Sequence, residues 1–84
     1  MDVILGNSEK ETIKEVIQRM VRGESGLHTK TVGQVKLVRR NTLPTLLAEL
    51  VDADLRRGAL KHVRTFHAQG HEVQIYERQH LQSR

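Results

Sequence analysis

The stretch Leu27-His28-Thr29-Lys30-Thr31-Val32-Gly33-Gln34-Val35-Lys36-Leu37-Val38-Arg39-Arg40 decides the fold. It is rich in Thr and Val, whose branched side chains suit a pleated strand. Gly33-Gln34 divides it, and glycine followed by a polar residue suits a two-residue type II′ turn. The expectation is a hairpin with strands of about 27–32 and 35–40. The alternative is one longer strand with a bulge at Gly33. Strand alternation puts Val35, Leu37 and Arg39 on one side and Lys36 and Arg40 on the other. Val32 falls out of phase unless a turn or bulge intervenes.

The same stretch holds the net charge. Lys30, Lys36, Arg39 and Arg40 stand without a carboxylate between residues 30 and 40, giving +4. Residues 1–29 sum to −1 and residues 41–84 to +1, which recovers the whole-chain +4. A localised cationic stripe is the electrostatic footprint of an anionic partner. Lys and Arg on an exposed edge strand also discourage sheet-to-sheet aggregation, which is the plainer explanation.

Upstream, Ser8-Glu9-Lys10-Glu11 fits a capping box. Ile13, Val16, Ile17, Met20 and Val21 follow at the spacing of an amphipathic helix, about residues 9 to 22. Gly23 offers the stop. Val3-Ile4-Leu5, ahead of Gly6-Asn7, reads as a brief first strand.

Downstream, Asn41 or Thr42 can cap a second helix, with Pro44 in its first turn. Leu43, Leu46, Leu47, Leu50 and Val51 form one apolar stripe, and Leu60, Val63 and Phe66 a second. At 100° per residue the two stripes lie on opposite sides of a single helix. Either the helix breaks near Arg56–Gly58, or a continuous helix 43–69 meets two surfaces, one of them another subunit. Gly70 would end it. His71–Arg78 alternates as a half-buried strand, and residues 79–84 form a polar tail.

These elements predict one α+β domain over residues 1–78: two layers, a small antiparallel sheet with helices on one face, in the order β-α-β-β-α(α)-β with ferredoxin-like connectivity. Eighty-four residues bury a small core, so packing or self-association must support it. The chain has no cysteine, which excludes disulfides and thiolate metal sites and fits a reducing compartment. No apolar run approaches the roughly 18 residues of a membrane span, so a cytoplasmic protein is expected.

Val3-Ile4-Leu5-Gly6-Asn7-Ser8 and the strand order resemble RNA-recognition-motif domains. That resemblance would imply bases stacked on aromatic side chains of the sheet. Ile4 stands where the first-strand aromatic would be, Val35–Arg39 has none, and Phe66 and Tyr76 are the chain's only Phe, Tyr or Trp residues. Stacking is therefore disfavoured, and phosphate contacts would dominate any nucleic-acid binding.

Other chemistries find little support. His67 and His71 have ligand-like i, i+4 spacing, but Gly70 interrupts them. Five histidines are better read as a pH-sensitive or merely polar surface. Asp52 and Asp54 at i, i+2 on a helix diverge, so no magnesium site is expected. No nucleophile elbow, P-loop or dinucleotide fingerprint occurs.

The expected function is a small basic nucleic-acid-associated or regulatory binding protein, not an enzyme, without cofactor and acting as a dimer. It would contact DNA or RNA phosphates through Lys30, Lys36, Arg39, Arg40, Arg56, Arg57, Lys61 and Arg64. The alternative is a protein–protein adaptor or inhibitor using the apolar stripe of residues 59–66. Leu60, Val63 and Phe66 would then form the oligomer or partner interface.

Overall fold

A computed structural model describes the backbone of residues 5–80 and the side chains of residues 12–80. The elements are α1 (Leu5–Val21), β1 (Thr29–Val32), β2 (Val35–Arg39), a 3₁₀ turn (Arg40–Thr42), α2 (Thr45–Arg56), β3 (Leu60–Ala68) and β4 (His71–Arg78). The four strands form one antiparallel sheet in the order β1-β2-β4-β3. The protein is thus a small α+β fold. Because β4 lies between β2 and β3, those two strands run parallel, and β2-α2-β3 is a β-α-β crossover split by β4.

The hairpin of residues 27–40 forms as expected. Val32 pairs with Val35 across Gly33-Gln34. Gly33 has φ of 62° while Gln34 is not among the positive-φ residues, the pattern of a type II′ turn. The stripe of α1 also forms, and Val16 and Met20 pack on Leu37 and Val73, flanked by Ile13, Ile17 and Val21.

The layering and order differ from expectation. The two helices cover opposite faces of the sheet, not one. Leu37 and Val73 face α1, whereas the neighbouring Val38 and the alternate-phase Tyr76 pack with Val51, Leu60, Leu43 and Leu55 on the α2 side. Consecutive Leu37 and Val38 are both fully buried because the central strands are covered on both faces. The order among the described residues is α-β-β-α-β-β. The expected first strand falls largely outside them, and Leu5 is helical. Since the helix begins before Ser8, Ser8 is not its N-cap.

The larger correction concerns residues 59–69, which hold the strand β3 (Leu60–Ala68) rather than a helix. Leu60, Val63 and Phe66 mimic a helical period because β3 carries a bulge between His62 and Arg64. The extra residue, Val63, shifts the alternation, so Leu60 falls on the α2 face and Phe66 on the α1 face. Gln69 and Gly70 have φ of 54° and 80° and join β3 to β4 as a two-residue turn with both φ positive, as type I′ requires. Gly70 is a turn residue, not a helix stop.

Both helices end in Schellman motifs, which satisfy their last carbonyls. In α1 the Gly23 N–H donates to Met20 O (2.9 Å) and the Glu24 N–H to Arg19 O (3.1 Å). In α2 the Gly58 N–H donates to Leu55 O (3.2 Å) and the Ala59 N–H to Asp54 O (2.8 Å). The helix break expected near Arg56–Gly58 is this second motif. At its start, Pro44 is itself the N-cap residue and no side chain caps the helix. Asn41, expected as a cap, instead ties the 3₁₀ turn to the β3–β4 hairpin. Its side-chain N–H donates to Gly70 O (3.0 Å), and its side-chain oxygen accepts from the Glu72 N–H (3.1 Å).

Gly23 provides a stability test. Its φ is 78°, and a Cβ there would stand 2.7 Å from His71 Nε2. Gly26 has φ of 79° but open space around it. Gly26→Ala should cost about 1 kcal/mol of backbone strain. Gly23→Ala should cost about 1–3 kcal/mol more, by overpacking. Urea unfolding measures both, and Gly23→Ala/His71→Ala should remove the steric part. Equal costs for the two glycine variants would refute the close-packing account.

Candidate nucleic-acid interface

The eight cations expected to bind nucleic acid do not form one patch. Strand register puts Lys30, Arg39, Lys61 and Arg64 on the α1 face of the sheet and Lys36 on the α2 face. Arg40, Arg56 and Arg57 belong to the 3₁₀ turn and the C-terminal end of α2.

Arg39 is 3% exposed. Its Nη1 donates to Met20 O (3.3 Å) and its Nε to Thr42 Oγ1 (2.9 Å). The guanidinium therefore sits at the negative end of the α1 dipole. Sequence alternation placed Arg39 beside Val35 and Leu37; only packing turned that face into core. Arg40 donates to Asp52 Oδ1 (2.7 Å), linking the 3₁₀ turn to α2. That bond holds the Arg40 pKa above its ordinary value. Arg64 lies 5.3 Å from the centre of the Phe66 ring, a cation–π arrangement on the α1 face. Lys30, Lys61 and Arg56 are exposed.

Lys36 and Arg57, by contrast, line one open cleft of about 430 Å³ together with Arg78 and His80. Three chain segments meet there. The Arg78 N–H donates to Gln34 O in the β1–β2 turn (2.7 Å), and the Gln79 N–H donates to Ala59 O before β3 (2.8 Å). These bonds clamp the end of β4 between the turn and the start of β3. Lys36 and Arg78 point to the same side because they stand two register positions apart on that face. Arg57 follows the last turn of α2 and is held by Asp54, whose Oδ1 accepts from Nη2 (3.0 Å) and Nε (3.2 Å). The Lys36 and Arg78 side chains make no hydrogen bond or ion pair with another described residue.

Arg78 and His80 were absent from the residues expected from sequence. Arg78 was legible as a strand end, but nothing local to it shows which strands flank β4. Of the expected partner interface, Leu60 is a core residue, 6% exposed, while Val63 is 55% exposed at the bulge. Phe66 is half-buried on the opposite face from Leu60, so residues 59–66 do not present one apolar surface. Among the described residues, the exposed large apolar side chains are Leu46 and Leu50, which were not expected at an interface, and Val63, which was.

On the α2 face, the Tyr76 hydroxyl donates to Gln74 Oε1, and Gln74 Nε2 donates to Glu72 Oε2 (2.7 Å). His67 Nε2 lies 3.5 Å from Glu72 Oε1. Burial raises the Tyr76 pKa. Among the described residues, no group of three or more His, Cys, Asp or Glu could hold a metal ion. No described helix is long and apolar enough to cross a membrane.

Arg39→Ala separates core from site. Removing charged hydrogen bonds from a buried position should cost about 2–3 kcal/mol, read from the urea midpoint. An unchanged midpoint would show that Arg39 contributes nothing to the core.

No protein-family model, curated protein or solved structure matches this chain.

Proposed function

We propose that the protein is a small nucleic-acid-associated binding protein that holds phosphates in the cleft formed by Lys36, Arg57, Arg78 and His80. The carrying observation is that cations from three separate segments line one open cleft at one end of the sheet. Arginine forks and a lysine ammonium suit phosphate oxygens, and phosphate contacts give affinity without reading sequence. No Phe, Tyr or Trp lines the cleft, so bases are not stacked there.

Fluorescence anisotropy with duplex and single-stranded probes over a range of salt concentrations tests this. Contacts from three cations predict a log–log salt slope of roughly −2 to −3. Lys36→Ala/Arg57→Ala/Arg78→Ala should abolish measurable binding. Lys30→Ala/Lys61→Ala/Arg64→Ala, on the opposite face, should leave affinity within about two-fold, since those residues make no phosphate contact in this arrangement. No binding at low salt, or equal loss in both triple variants, would overturn the proposal.

Self-association belongs to the same reading and is favoured by one observation. Leu46 and Leu50 stand one helical turn apart on α2 and are 75% and 62% exposed. A second copy would cover this stripe by isologous packing. Light scattering should give a dimer mass, and Leu46→Glu/Leu50→Glu should give a monomer. A monomeric parent at high concentration would remove dimerisation from the reading.

A further inference from the structure

We infer that the cleft takes the terminal phosphate of a nucleic acid, a phosphomonoester, in preference to a run of phosphodiesters. This rests on the nucleic-acid reading above and names the ligand class within it.

Charge is the first ground. Lys36, Arg57 and Arg78 contribute +3 and Asp54 contributes −1, so these four side chains sum to +2. A phosphomonoester carries about −1.5 to −2 at pH 7 and offers three terminal oxygens. A phosphodiester carries a single negative charge and two free oxygens. The monoester therefore matches the cleft in both charge and number of acceptors. Asp54 also opposes any anion that does not engage Arg57 closely.

Shape is the second ground. The cations close around one end of the sheet rather than running along it. The cleft volume of about 430 Å³ is in the range of small-ligand sites. Lys30, Lys61 and Arg64 lie on the opposite face, so they cannot extend a phosphate track out of the cleft. Arg40, on the same side as Lys36, is occupied by Asp52. Among the described residues, the cations of the cleft gather on one phosphate, and Lys30, Lys61, Arg64 and Arg40 do not continue the row to its neighbours along a strand.

The test compares one short single-stranded oligonucleotide in three forms: 5′-phosphorylated, 3′-phosphorylated, and hydroxyl at both ends. Each carries a fluorophore at the end that is not varied. A phosphorylated end should bind roughly 5–20-fold more tightly than the hydroxyl form, as charge-assisted bidentate contacts provide. Arg78→Ala should erase that preference. Arg78→Lys, which keeps the charge but not the fork, should retain part of it and guards against a folding defect. A nucleoside monophosphate should compete. If inorganic phosphate competes equally, the phosphate group alone is recognised; if it does not, the attached sugar contributes. Both results support the inference. Equal affinity for all three oligonucleotides would overturn it while leaving nucleic-acid binding intact. Failure of every oligonucleotide to bind at low salt would overturn both.

Discussion

Strand β4 must be buried on both faces and paired on both edges, and the rest of the molecule is arranged around that requirement. Val73 and Tyr76 are fully or almost fully buried on opposite sides of the same strand. Each needs its own apolar cover, and one helix cannot supply both. The chain meets this with α1 on one face and α2 on the other, so an 84-residue protein has two small cores instead of one. Pairing on both edges follows from the same strand, since it has β2 on one side and β3 on the other.

That arrangement explains why the cationic stripe divides. Alternating residues of β2 point to different cores, so Arg39 enters the α1 side while Lys36 emerges on the α2 side. The end of α1 offers the buried Arg39 guanidinium a carbonyl acceptor and a favourable dipole. Its conformational role and its lack of exposure have one cause. The end of β4 then carries Arg78 beside Lys36, while the Schellman motif that ends α2 brings Arg57 to the same edge. The cleft is thus a consequence of where chain segments terminate.

Local patterns recovered most elements. The apolar stripe of Ile13–Val21, the Gly33-Gln34 turn and the alternation of His71–Arg78 are short-range signals, and each forms the element they indicate. The failure at residues 59–69 also has a local origin. A bulge inserts one residue into a period of two, and Leu60, Val63 and Phe66 then imitate a period near 3.6. Gln69-Gly70 was the competing signal, a turn dipeptide able to take positive φ at both positions. Of the cleft, Lys36 and Arg57 were legible as candidate phosphate-binding cations, whereas Arg78 and His80 looked like a strand end and a tail.

By itself the sequence determined the α+β class, the hairpin of residues 27–40, the opposite orientation of Lys36 and Arg39, and the glycine at which α1 stops. These follow from backbone sterics and periodicity, which act over a few residues. Tertiary structure alone decided that β4 is central, that the helices lie on opposite faces, that Arg39 is interior, and that Lys36, Arg57 and Arg78 meet. Strand order depends on pairing between segments far apart in the chain, and burial depends on what covers a face. Neither is encoded in the spacing of neighbouring residues.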